Sequence, residues 1–172
     1  GSSQPVEVRS SLDELIDGFD ISQFGSAPTK FDADDLYPLT ARYNHTLPLS
    51  AVQDRITALG VPADQAERFW DVARENITVL SDLSEWSDLA QNGADPIIEA
   101  GDEDFIAQAM KMLPDGPYTD TTWGEWTTAV KEATGRKGKG LFMPLRKAVT
   151  GRERGPDMAS LMPLLQVIKA KG

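Results

Sequence analysis

The chain contains no cysteine, which excludes disulfide scaffolds, thiol nucleophiles and thiolate metal sites and fits a reducing compartment. A single histidine, His45, is present. No site built from several histidines can therefore form within the chain, and a Ser-His-Asp triad is disfavoured. No apolar run approaches the roughly 20 residues that a membrane-spanning helix needs, and no secretory leader pattern is found. Alternating β-branched runs are missing too. The one Asn-Gly pair, Asn92-Gly93, falls between helical patterns, so no hairpin is expected. There is no repeat period and no low-complexity tract. Gly135 to Gly140 is glycine-rich but lacks both the Walker spacing and the preceding strand of a phosphate-cradling loop. These absences fit a cytoplasmic protein without a membrane segment. Gly1-Ser2-Ser3 reads as a cloning remnant outside the fold.

What is present is an ordinary globular composition: 172 residues, 40% hydrophobic and 26% charged. A chain of this length buries roughly 70% of its unfolded surface and folds without staples. Its net charge of −10 argues against a polyanionic partner. The average hides a division, however. Residues 1–134 carry 8 Lys/Arg against 25 Asp/Glu, whereas residues 135–172 carry 9 against 2. Such asymmetry suggests that the C-terminal part meets a polyanion; the plainer reading is a solvated basic tail.

Capping signals and apolar periodicity predict an all-α protein with no sheet. Ser11-Leu12-Asp13-Glu14 is a capping box ahead of Leu12, Leu15 and Ile16, closed by Gly18. Residues 19–31 read as a loop pinned by Phe19, Ile21, Phe24 and Phe31. A helix follows Asp32 to Asp35, with Pro38 confined to its first turn. Ser50-Ala51-Val52-Gln53 predicts another capping box. Helices are expected over Pro62 to Asn76, Leu80 to Leu89, a short piece behind Asp95-Pro96, and Asp102 to Leu113. Pro114, Gly116 and Pro117 mark a hinge between two small helical subdomains, residues 4–115 and 116–172. Thr122-Trp123-Gly124-Glu125 predicts a capped helix ending at Gly135. Leu141 to Thr150 predicts another, closed by Gly151, and Pro156 begins a last helix with Met158, Leu161, Leu164, Leu165 and Ile168 on one face.

The catalytic inventory is poor. The acidic groups Asp34-Asp35 and Asp102-Glu103-Asp104 sit at helix starts, where they complement the macrodipole. His45, in a polar stretch, reads as solvated rather than as a base. Trp70, Trp86 and Trp126 read as core; Trp123 stays open between core packing and base stacking. The positive signal is a basic loop-helix-loop over residues 136–158. Lys137 and Lys139 precede a short helix, Arg146 lies within it, and Arg152 and Arg154 follow. The helix start behind Gly155-Pro156 should offer N–H groups to phosphates or base edges. A planar guanidinium can bond a base edge in two places, while lysines attract phosphate unspecifically. Arg146 is therefore expected to read bases, with the lysines holding the backbone.

Trp126-Thr127-Thr128-Ala129-Val130-Lys131, Gly135 to Lys139, Leu141 to Gly151 and Gly155-Pro156 together resemble the C-terminal anticodon-binding region of bacterial glutamyl-tRNA synthetases. Leu12 to Ser22, Pro28 to Asp32, and Arg74-Glu75-Asn76 through Leu83 resemble its beginning and middle. The resemblance covers about residues 8 to 168, most specifically Leu141 to Gly151. It implies a helical cage in two subdomains that binds the anticodon loop of tRNA(Glu). The family's contacts map to Arg146, Gly155, Pro156 and Met158, with Thr150 and Arg74 beside them. Members that discriminate glutamate from glutamine tRNAs carry an Arg-x-Arg pattern whose second arginine reads the last anticodon base. Here that position is Asn76, a departure that fits either recognition of tRNA(Gln) as well or a different way of reading that base. The family's catalytic domain binds ATP, magnesium and glutamate, and its His-Ile-Gly-His-like and Lys-Met-Ser-Lys-Ser-like motifs do not occur in this chain. The resemblance thus implies a monomeric piece of a synthetase, without cofactor and inactive alone, whose partners are tRNA and the remaining synthetase. The competing reading is a helical protein-interaction domain whose basic end meets an acidic partner.

Overall fold

Apolar residues at three- and four-residue spacing, punctuated by glycine and proline, give nine α-helices and no strand among the described residues. The structure is a computed structural model and describes residues 7–26 and 32–171. The all-helical expectation holds. Pro28 to Phe31 and Gly1-Ser2-Ser3 lie outside the described residues.

The helices are α1 (Leu12–Asp17), α2 (Leu36–Thr46), α3 (Leu49–Ala58), α4 (Ala66–Ala73), α5 (Leu83–Asn92), α6 (Glu103–Met112), α7 (Thr122–Thr134), α8 (Lys139–Thr150) and α9 (Met158–Leu161). Short 3-10 turns over Arg74–Asn76 and Leu80–Asp82 connect α4 to α5. Helix α4 packs on α3 and on α9, and α6 packs on α7 and α8. Helix α9 also touches α7, so the smallest helix joins the two groups. One apolar cluster runs from Val52 and Ile56 through Phe69, Trp70, Leu83 and Ala109 to Val130, Leu145, Met162 and Ile168. It continues across the Pro114–Pro117 turn, where Trp126 Nε1 donates to the Ala109 carbonyl at 2.8 Å.

Several local expectations change. Ser11 caps α1 by accepting from Glu14 N–H, but Leu12, Leu15 and Ile16 are exposed, as are Phe19, Ile21 and Phe24. The spacing is that of a core face, yet no described element covers it. Phe19 and Phe24 meet only as a tilted pair, with ring centroids 5.4 Å apart. Ser50 is the second residue of α3 and does not cap it; Pro48 occupies the N-cap. Thr122 lies inside α7, and its hydroxyl accepts from Thr119 N–H at 2.8 Å instead of closing a capping box. Residues 93–99 form no helix behind Asp95-Pro96. They run as a strap on α8, with Ile97 N–H donating to the Lys147 carbonyl at 3.1 Å. The last helix is a single α-turn followed by a 3-10 turn over Met162–Leu164, because Pro163 cannot donate the next helical bond. Its apolar stripe is nonetheless buried as expected. His45 lies in the last turn of α2, where Nε2 sits 2.9 Å from the Ile77 carbonyl; it is held, not solvated.

Helix α8 begins two residues earlier than Leu141, so Pro144 stands inside it rather than in its first turn. A proline there leaves the carbonyl four residues back without its helical donor. That carbonyl belongs to Gly140, and Arg136 Nη1 donates to it at 3.4 Å.

Candidate nucleic-acid interface

Three of the candidate residues, Asn76, Arg152 and Gly155, meet at one ring that the periodicity assigned only to the core, and Arg146 and Pro156 adjoin Gly155. Trp86, on α5, is 6% exposed. Its Nε1–H donates to the Asn76 carbonyl at 3.4 Å. The Arg152 guanidinium lies over the ring, 4.8 Å from its centroid, and also pairs with Glu85 at 2.7 Å. Gly155 adopts φ +151°, and a Cβ there would stand 3.0 Å from Trp86 Cη2 and 3.6 Å from Arg146 Nη1. Arg146 Nη2 donates to the Pro156 carbonyl at 2.9 Å. Burial pulls the Arg146 pKa below its ordinary value, against the opposing charge of Asp157. An arginine stays protonated even so. Arg146 is half-buried.

The other candidates are placed differently. Thr150 is 2% exposed, so it offers no surface to a base. Its hydroxyl donates to the Arg146 carbonyl at 2.8 Å and accepts from Arg152 N–H at 3.2 Å, which shapes the turn into the loop. Met158 is likewise 2% exposed and anchors the loop from beneath. Arg74 pairs with Asp71 at 3.4 Å, one turn back. The Asn76 side-chain amide donates to the Val72 carbonyl at 3.1 Å. Lys137, Lys139 and Arg154 are exposed, and none has an ion-pair partner within 4.0 Å among the described residues.

The helix start behind Gly155-Pro156 does not offer its N–H groups to a ligand. Asp157 caps α9, its carboxylate accepting from Ser160 N–H at 2.9 Å and Ser160 Oγ at 3.1 Å. An anion already occupies that end. The basic segment is also less available than its composition suggests. Arg136 pairs with Asp102 at 2.6 Å and covers the Phe105 ring, while Lys169 pairs with Asp95 and Lys171 with Asp115. Lys147, 7% exposed, sits between Glu99 at 2.5 Å and Glu153 at 2.8 Å. The charge division in the sequence thus partly serves intramolecular pairing: basic C-terminal residues fasten themselves to the acidic part. Lys137, Lys139 and Arg154, with the half-buried Arg146, remain for an external anion.

Next to Asn76 and Pro156 lies an open groove of about 600 Å³ whose charged lining is Asp64, Glu67, Arg68, Asp71, Glu75 and Asp157, five carboxylates to one guanidinium. Its carboxylates make the floor hostile to phosphate.

The Lys147 clamp yields a pH prediction. Its hydrogen bond, and then its charge, hold the Glu153 carboxyl below the ordinary 4.5. A depressed carboxyl contributes stability above its ordinary value, and that contribution is lost as pH falls through the folded value. Lys147 is raised above 10.5 by hydrogen bonds to Glu153 and Glu99, so its share is present below that pH and is lost on going higher. Carboxyl NMR titration should therefore place the Glu153 midpoint low in the native chain, and Lys147→Met should return it toward the ordinary range. A midpoint that does not move would remove the clamp from the account of this loop.

A family described as an anticodon binding domain matches residues 36–167. Glutamate–tRNA ligase 2 of Ruegeria sp. (strain TM1040) is 63% identical over 172 residues, all of this chain and 39% of that protein. Glutamate–tRNA ligase 1 of Paracoccus denitrificans is 64% identical over the same length and the same share. The chain spans about two fifths of the length of these curated relatives. In backbone shape it is similar to the glutamate-tRNA synthetase from Elizabethkingia anophelis, with a TM-score of 0.67 and 19% identity, covering 90% of this chain and 33% of that one.

Proposed function

The chain belongs to the anticodon-binding domain family, and on that premise we propose that it is the part of a glutamate–tRNA ligase that holds the anticodon loop of tRNA(Glu). The observation that carries this reading is the meeting of Asn76, Arg152 and Gly155 at Trp86, with Arg146 and Pro156 adjoining Gly155, from two regions some seventy residues apart in sequence. One guanidinium edge of Arg146 is fixed by the Pro156 carbonyl, which leaves the other oriented for a base edge. Phosphates fall to Lys137, Lys139 and Arg154, because the carboxylate-lined groove beside Asn76 admits bases and repels backbone. The rest of the ligase supplies ATP, magnesium and glutamate, so this chain charges no tRNA alone. It works as a monomer in the cytoplasm. With Asn76 where discriminating members carry arginine, it accepts the tRNA(Gln) anticodon as well.

Titrating labelled anticodon stem-loops over a range of salt tests this. Log K should fall by about 0.7 per phosphate contact for single-stranded RNA, a slope of about 2 if Lys137, Lys139 and Arg154 all take part. The glutamate loop should bind more tightly than a scrambled loop. Equal affinity for both, or binding indifferent to salt, would defeat the anticodon reading. Loops differing only in the last anticodon base should bind alike; a strong preference for the glutamate triplet would remove tRNA(Gln) from the proposal.

A further inference from the structure

The geometry points to Trp86 as a positioning residue for RNA recognition: one rigid ring sets the register of Asn76, Arg152 and Gly155 relative to Arg146. This rests on the anticodon-binding reading above. Three different parts of the indole are in use. The N–H edge donates to the Asn76 carbonyl at 3.4 Å. The face carries the Arg152 guanidinium at 4.8 Å. The opposite, six-membered edge faces Gly155, where a Cβ would stand 3.0 Å from Cη2 and 3.6 Å from Cζ3. Gly155 lies next to Pro156, whose carbonyl holds Arg146 at 2.9 Å. The ring has only two rotatable side-chain bonds and is packed at 6% exposure, so the groups on its edges and face cannot drift independently.

Helix α5 reinforces this seat. Glu85, the preceding residue, takes the same Arg152 by charge that Trp86 takes by stacking. The loop from Gly151 to Pro156 is thereby fixed before any RNA arrives, which lowers the ordering cost of binding. Core packing alone would require an apolar side chain of suitable size at position 86. It would require neither the N–H donor nor a ring long enough to reach Gly155. Phenylalanine fills most of the volume, lacks the donor and stops short of the loop.

The test uses the whole chain with glutamate and scrambled anticodon stem-loops. Trp86→Phe should lower affinity for the glutamate loop about tenfold. It should lower scrambled-loop affinity much less and leave the salt slope unchanged, because no cation is removed. Gly155→Ala should also cut glutamate-loop affinity about tenfold in the native background. It should cost clearly less on top of Trp86→Phe, which removes the atoms that the new Cβ meets. Equal losses for both loops after Trp86→Phe, or a Gly155→Ala cost that is the same in both backgrounds, would reduce Trp86 to packing. If Trp86→Phe does not fold, Gly155→Ala alone still decides: an unchanged ratio between the two loops overturns the inference. If the native chain itself fails to distinguish the loops, the anticodon reading falls and takes this inference with it.

Discussion

Replacing Arg146 with alanine should weaken binding of the glutamate anticodon loop by about 1–3 kcal/mol, roughly 5- to 150-fold, with a much smaller loss on a scrambled loop. Two effects add at this position. The first is direct: a guanidinium fixed on one side by the Pro156 carbonyl at 2.9 Å presents its other donors in a set plane. The second is indirect. Without that bond the Pro156 carbonyl loses its donor, and the Gly155-Pro156 corner is no longer tied to α8. Arg146→Lys separates charge from geometry. The ammonium keeps the positive charge, but it cannot bridge the carbonyl and a base edge as a planar fork does. Lysine should therefore retain most of the scrambled-loop affinity and little of the discrimination. Equilibrium titration of both variants against both loops measures this. An equal loss on both loops for Arg146→Ala would mean that the guanidinium merely attracts phosphate.

For stability, a large effect is expected of Gly151→Ala. Gly151 closes α8 at φ +63°, a conformation that already costs a residue with a Cβ about 1 kcal/mol or more. The decisive feature is what surrounds it: an added Cβ would lie 2.7 Å from the Asp95 carbonyl oxygen and 3.2 Å from the Ala94 Cβ. The strap bearing Asp95 is itself bound to α8 through Ile97 N–H, so backbone would have to shift on both sides. Strain and overpacking together should cost about 2–4 kcal/mol. Gly135, which closes α7 at φ +71°, is the control, because nothing lies within 4 Å of a Cβ there. Gly135→Asn should cost well under about 1 kcal/mol, since asparagine tolerates the left-handed region. Urea denaturation of the two variants distinguishes the positions. Equal costs would show that helix ending alone, and not contact with the strap, makes glycine necessary at position 151.

Both glycines read identically as helix stops, and this contrast marks where pattern ends and packing begins. Periodicity placed α3 to α8 because each carries apolar residues on one face, and that face must be buried whatever its partner. The same rule misled at α1, where Leu12, Leu15 and Ile16 have the spacing of a core face but remain exposed. A face predicts that something covers it, without saying what. Capping boxes failed at Ser50, which lies inside α3 behind Pro48, and at Thr122, whose hydroxyl serves the Thr119 N–H instead.

By itself the sequence determined the helical class and singled out Arg146 and Gly155-Pro156 as candidates, because residue type and local spacing decide those; Asn76 joined them only through the family resemblance. Only the tertiary structure decided which cations remain available. Ion pairs such as Lys171–Asp115 and Arg152–Glu85 join residues 56 and 67 positions apart. It also decided that Trp86 joins the candidates, since a tryptophan on an apolar stripe looks the same whether its far edge meets leucine or a binding loop. Charge and periodicity are properties of the chain, whereas pairing and contact depend on distances that exist only once α5, α8 and the loop to α9 have come together.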